Sequence, residues 1–323
     1  MTGLRPPPST EKPSRIFARF AGLIILLLLL GAVIWSAVTL QQIPLVEDTA
    51  LDSVEVVGSE TIDGVRFHVS DRGINPTATF LFHDIEISGL AAFDGLVAAL
   101  GDDVRTVAVD LPGFGLTTRF PEKGPDHTVG RMAERMIQLI EARTSRPALL
   151  VGVGLGGEVA AEIAVLRPDL VAGLVMIDTD YYNDGGWVQT AEGIPWMGLA
   201  FTYAFETSGA FADGNYAPHC EDGGWCPTPE QAAARSLAAS IEGTSESVHS
   251  FRNTPPASNV PSLLPDIAAP AIYVWSANGA VSKSSVDRVL DAIPGLRVEQ
   301  IDVFQAHLEE PGSVAELIRS LLG

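Results

Sequence analysis

The chain has 323 residues, 46% of them hydrophobic, enough for a sizeable core and too many for an intrinsically disordered protein. Its formal charge is −20, and after residue 40 the balance is 16 basic against 39 acidic residues. A surface of that sign repels phosphate, which excludes a nucleic-acid partner and attraction to anionic lipid headgroups.

Residues 1–19 read as a polar tail interrupted by Pro6, Pro7, Pro8 and Pro13. Residues 20–43 read as a transmembrane anchor. Phe20 to Val46 carries no charge, and Ala21 to Leu40 supplies a mostly apolar stretch that at 1.5 Å per residue crosses a hydrocarbon core of roughly 30 Å. Arg5, Lys12, Arg15 and Arg19 precede it, opposed only by Glu11. The positive-inside rule then puts the N-terminus in the cytoplasm and the C-terminal domain outside, on a single-pass protein of the cell membrane. The competing reading is a cleaved signal peptide. It wants a shorter apolar region and a small-residue cleavage site, and Trp35, Val38 and Leu40 fit such a site badly.

From residue 50 to 323, short hydrophobic runs alternate with helical patterns, predicting an α/β fold with a mostly parallel, doubly wound sheet. Val54–Val57 and Val65–Val69 flank Asp63-Gly64 as an opening hairpin. Ala78–Phe82 is a strand, Leu90–Leu100 a helix and Val104–Val109 a strand. Val129–Ala142 is an amphipathic helix with Met132, Met136, Ile137, Leu139 and Ile140 inward. A buried strand at Ala148–Val151 runs through a glycine-rich turn into a helix over Glu158–Leu166, and Gly173–Ile177 is a further strand. Late strands at Ala271–Trp275 and Arg297–Val303 flank a helix at Ser284–Ile293, and Ser313–Leu322 closes the chain. Between about 182 and 266 the composition shifts to Trp, Gly, Ala and Pro. This segment reads as an inserted cap over the carboxyl ends of the strands, where open α/β sheets place their ligand crevice.

Cys220 and Cys226 both lie in the cap. In an exported domain a pair this close reads as a disulfide, with free thiols or a metal site as alternatives. His219, Glu221 and Asp222 are close by, but adjacent positions rarely converge on one ion, so neither a metal nor a cofactor is expected.

Four stretches, in order and on predicted strands, make residues 54–323 resemble the α/β-hydrolase superfamily. Leu81-Phe82-His83-Asp84 resembles the His-Gly segment that lines the oxyanion hole. Asp110-Leu-Pro-Gly113-Phe-Gly115 resembles the Asp-x-x-Gly-x-Gly turn. Gly152-Val-Gly154-Leu-Gly-Gly157 resembles the nucleophile elbow. Phe304-Gln-Ala-His307-Leu-Glu-Glu-Pro311 resembles the closing histidine segment. The resemblance implies a Ser-acid-His triad, and this chain departs from it at every position. Gly154 stands where the nucleophile belongs, Gly279 (or Asn278) where the acid belongs, and Phe304 where the histidine belongs. His307 matches a second, non-catalytic histidine and, with Asp178 and Asp180, is a candidate substitute. Asp84 replaces a glycine; pointing inward, it would oppose a developing oxyanion. The elbow together with Leu174 to Asp180 and Gly186-Trp187 is similar to the N-myc downstream-regulated family, which keeps the fold and is regarded as lacking its catalytic machinery.

Two expectations follow. The first is a membrane-anchored pseudoenzyme that binds a small-molecule ligand or a membrane-protein partner at a crevice lined by His83, Asp84, Gly154 and Leu155. The second is an active hydrolase of esters or similar small substrates that uses relocated residues.

Overall fold

The computed structural model describes residues 15–41, 49–55, 58–85, 89–120, 127–182, 193–194, 197–204, 220, 225–253 and 260–322, with side chains of the first helix from residue 24 onward. Its centre is an eight-stranded sheet of order β1-β2-β4-β3-β5-β6-β7-β8. The strands are β1 (Ser59–Ile62), β2 (Val65–Arg72), β3 (Ala78–Phe82), β4 (Arg105–Val109), β5 (Ala148–Val153), β6 (Val171–Ile177), β7 (Ala271–Ser276) and β8 (Arg297–Ile301). β2 runs antiparallel to both neighbours, and β3 to β8 are parallel.

The first strand lies later than the sequence pattern suggested. Asp63 and Gly64 both take positive φ (48° and 79°), the two-residue turn that pairs its immediate flanks. Ile62 therefore faces Val65, and β1 begins at Ser59 rather than at Val54. The predicted helix at 90–100 resolves into a 3-10 turn, Gly89–Phe93, followed by helix α2 (Asp94–Leu100).

Every residue of β3 and β5 is buried, the continuous apolar run expected where helices cover both faces of a parallel sheet. Helices α2 and α11 (Pro311–Leu322) pack on one face, bringing Leu96, Leu100, Val314 and Ile318 against Leu81, Leu149 and Val151. On the other lie α3 (Val129–Arg143), α4 (Leu155–Leu166) and α9 (Lys283–Ala292), with Met132, Met136, Val159 and Val289 against Phe80, Phe82 and Leu150. Thr128 caps α3 by accepting from the Arg131 N–H.

Between β6 and β7, in the segment expected to be a cap, the described helices are α5 (Gly198–Thr202), α6 (Pro229–Ala239), α7 (Thr244–Asn253) and α8 (Val260–Leu263). Arg119 ties it to the sheet domain. Its guanidinium donates to Thr244 Oγ1 at 3.0 Å and to the Ala238 carbonyl at 3.2 Å, while Nη1 holds the Phe114 and Thr117 carbonyls. Cys220 and Cys226 form a disulfide; His219, Glu221 and Asp222 lie outside the described residues.

Ahead of the sheet, α1 (Arg15–Leu40) is 26 residues long. Its last turns rest on the cap: Trp35 stacks edge-on to Phe201 at 6.5 Å, and Ser36 and Thr39 are buried. Thr49 then bridges in parallel to Ile241 at the end of α6. Among the described residues no helix is long and apolar enough to cross a membrane. The portion of α1 with described side chains, residues 24–40, spans roughly 25 Å against a core of about 30 Å.

Candidate functional site

β5 ends at Val153 and α4 begins at Leu155, so the chain reverses within a single residue, Gly154. Gly154 holds φ 49° and ψ −116°, a conformation that strains any residue with a Cβ. Close approach fixes the following glycine: a Cβ on Gly156 would overlap the Phe82 carbonyl, because α4 starts directly over the end of β3. This is the strand, sharp turn and helix of a nucleophile elbow.

The space above Gly154 is occupied. A Cβ built there would lie 2.5 Å from Asp84 Oδ2 and closer still to Cγ and Oδ1. Asp84, on the loop after β3, thus places its carboxyl group where the elbow residue's own side chain would begin. Its Oδ1 accepts from the Leu155 N–H at 2.8 Å. In this fold that N–H, belonging to the residue after the nucleophile, is one of the oxyanion-hole donors. The carboxylate also sits at the positive end of α4, which favours an anion. Asp84 points inward.

His83, fully buried, orients this loop. Nε2 accepts from the Leu111 N–H at 2.8 Å, so Nδ1 carries the ring proton and donates to the Asp84 carbonyl at 2.5 Å. Burial lowers its pKa, partly offset by Asp110 and Asp84. With both ring nitrogens engaged in backbone hydrogen bonds, His83 is a neutral positioning residue rather than part of a ligand surface. Asp110 braces the opposite side: it accepts from the Leu90 and Leu116 N–H groups, each at 2.8 Å, and pairs with His68 Nδ1 at 2.7 Å. Burial alone would raise its pKa, but the His68 hydrogen bond and charge lower it overall. The partnership of His68 with Asp110 joins two strands 42 residues apart and left no local signal in the sequence.

Asp178 follows β6 with a φ of 49°. Its two oxygens take the Ser276 N–H at 2.7 Å and the Ser276 hydroxyl at 2.5 Å, and that hydroxyl in turn accepts from the Ala306 N–H at 2.8 Å. The carboxyl therefore ties β6, β7 and the start of α10 (Ala306–Glu309). Burial is the main cause of its pKa of about 6, with Ser276 opposing and the Asp84 charge adding. Asp180 is half-buried and accepts from the Tyr182 N–H. Glu158, one helical turn beyond Gly154, completes the acidic group. Burial first, then the charges of Asp84 and Asp180, push its pKa up to about 8. The sequence reading passed over Glu158, although the helical period sets it four residues from the elbow glycine.

His307 lies elsewhere. It is buried in α10 against Phe93 (ring centroids 6.2 Å), neither ring nitrogen has a hydrogen-bond partner among the described residues, and burial lowers its pKa to about 4. Gly279 packs on the Phe304 carbonyl, and Glu309 Oε1 accepts from the N–H groups of Phe304 and Gln305, each at 3.0 Å. The structure thus brings Asp84, Gly154 and Leu155 into contact, with Asp178 and Glu158 within reach of Asp84's charge. His307 stays out of that group. Among the described residues, no group of three His, Cys, Asp or Glu side chains could hold a metal ion.

The model of the alpha/beta hydrolase family matches residues 82–317. The chain belongs to that family. Among curated α/β-hydrolase relatives, 2-(acetamidomethylene)succinate hydrolase of Mesorhizobium japonicum is 35% identical over 121 residues, covering 38% of this chain and 42% of that protein. Protein NDRG4-A of Xenopus laevis is 27% identical over 135 residues, 38% of this chain and 34% of that protein. The chain spans less than half the length of either. Among solved structures, the enol-lactonase of Burkholderia xenovorans LB400 superposes with a TM-score of 0.67 at 18% identity, covering 82% of this chain and 99% of the enzyme. That likeness establishes the fold alone.

Proposed function

We propose that this family member is a membrane-tethered binding module that performs no serine-type acyl transfer. The observation that carries the reading is the Asp84 carboxyl group over Gly154. Acyl transfer needs a poised hydroxyl, a base and free oxyanion donors. Here the elbow has no side chain, and an anion already holds the Leu155 N–H. Glycine and phenylalanine at 279 and 304 leave the acid and base positions without ionisable groups. The crevice beneath the cap is then a site for a small-molecule ligand or for a membrane-protein partner.

The tether is read from α1. Ile24 to Leu30 are each 51–68% exposed, a run of large aliphatic side chains that water does not tolerate and a bilayer does. With Arg15 and Arg19 at its start, the helix enters from the cytoplasm, and the Cys220–Cys226 disulfide suits an oxidising exterior.

The experiment is esterase turnover by the full-length chain in detergent micelles, against short- and medium-chain nitrophenyl esters. The expected rate is that of buffer alone; multiple turnovers, lost on Asp84→Asn, would overturn the binding-module reading. The alternative, an active hydrolase with relocated residues, gains nothing from His307, which is sealed against Phe93, nor from Asp178, whose oxygens are both held by Ser276. Its one support is the position of Asp84.

A further inference from the structure

We propose that a cleft between β2, α2 and α6, separate from the elbow, binds a small organic ammonium ion at His68 and Asp94. The cleft has a volume of about 310 Å3. It is lined by His68 of β2, Asp110 after β4, Asp94 of α2, and Gln231, Ala234 and Leu237 of α6. Gln231 closes it on one side: its Nε2 donates to the Ala91 carbonyl at 3.0 Å, and its side chain also hydrogen-bonds to Asp94.

The orientation of His68 is fixed from below. Asp110 has a lowered pKa and is ionised, so it only accepts, and His68 Nδ1 carries the proton of their 2.7 Å contact. In the neutral ring Nε2 is then an acceptor, and among the described residues nothing donates to it. The side chain is 21% exposed and lines the cleft, so a ligand can reach it. Asp94 supplies charge. Desolvation raises its pKa above the ordinary carboxylate value, against the charge of Arg72 and the Gln231 hydrogen bond. The protein therefore leaves part of that negative charge uncompensated. Glu230, in the first turn of α6, lines the same cleft, and among the described residues no Lys or Arg does.

These groups select the ligand. An open imidazole acceptor beside carboxylates calls for a cation that carries N–H donors. Among the described residues no three such side chains are placed to hold a metal ion, so the cation is organic. Leu90, Ala234 and Leu237 offer an apolar wall to a short hydrocarbon body. A second cleft of about 730 Å3 shares His68, Leu90 and Asp94 with the first and gives that body room to extend. The net charge of −20 draws cations towards the whole surface.

The test is calorimetric titration of the full-length chain in detergent micelles with n-butylammonium chloride at pH 8, with n-butanol as the neutral counterpart. The expected result is one saturable site per chain that rejects butanol. Each of Asp94→Asn and His68→Phe should weaken butylammonium binding at least about tenfold, the loss of one charge-assisted hydrogen bond. Asp94→Asn keeps the side chain's shape, and an unchanged thermal melt confirms that each variant is folded. Tighter binding of glycerophosphoethanolamine than of butylammonium, with the same loss in the variants, upholds the site and assigns its ammonium to a lipid headgroup; weaker binding assigns it to a free amine. Butanol binding as well as butylammonium, no saturable binding, or affinity unchanged in both variants overturns the inference. None of these outcomes alters the esterase rate, which tests the elbow separately.

Discussion

Replacing Gly154 by alanine probes the contact on which the site depends. The new Cβ would overlap the Asp84 carboxyl group and push it aside. That breaks the charged hydrogen bond to the Leu155 N–H, worth about 1.5–3 kcal/mol, and removes an anion from the start of α4, a further ~0.3–1 kcal/mol. Holding a Cβ at φ 49° and ψ −116° adds roughly 1–3 kcal/mol of backbone strain. Gly154→Ala should therefore cost about 3–7 kcal/mol in an otherwise native chain. In an Asp84→Gly background the first two contributions are already gone, and only the strain, about 1–3 kcal/mol, remains. The coupling between the two substitutions is then about 2–4 kcal/mol, readable in a double-mutant cycle by urea unfolding. Gly154→Ala costing the same in both backgrounds, within about 0.5 kcal/mol, would refute the placement of Asp84 over the elbow.

Other consequences follow from buried titrating groups and from the first helix. Glu158 has its folded pKa raised from 4.5 to about 8, so the native state favours the protonated form; its contribution is fully present below the unfolded value and is lost as pH rises through 4.5 to 8. Glu158→Gln should be near neutral at pH 5 and stabilise by up to about 5 kcal/mol at pH 8.5, with equal effects at both values counting against the burial argument. His307 behaves in the opposite sense. Its folded pKa, lowered to about 4 from 6.5, means that the unfolded chain binds the proton first, so stability falls as pH drops from 6.5 towards 4. His307→Phe should remove that acid limb, worth up to about 3 kcal/mol, in thermal melts across pH 4 to 7. For the tether, protease added to intact cells should cut residues after 45 and spare the first 19; the reverse pattern would invert the orientation proposed for α1.

Much of the fold was legible in the sequence because a parallel sheet covered on both faces writes itself as continuous apolar runs. Ala78–Phe82 and Ala148–Val151 were read from hydrophobicity alone and are buried throughout. The elbow was legible for a different reason. Its glycines answer to backbone torsion and close approach, which fix residue type locally at Gly154 and Gly156. Boundaries were harder: β1 moved because a two-residue turn, and not apolar content, sets the register of a hairpin.

The site itself belongs to tertiary structure. Sequence determined that position 154 carries no nucleophile and that an aspartate replaces the glycine after His83, and it left open which way that aspartate points. Only folding brings residue 84 onto residue 154, because β3 and β5 are neighbours in the sheet although some seventy residues separate them. The same packing withdraws His307 from the crevice, through Phe93 on the opposite helix layer, and ties Asp178 to Ser276 across β6 and β7. Hydrophobic periodicity reports which face a residue takes; a carboxylate's partner is chosen by whichever unsatisfied N–H the fold delivers to it, and that lies outside any local pattern.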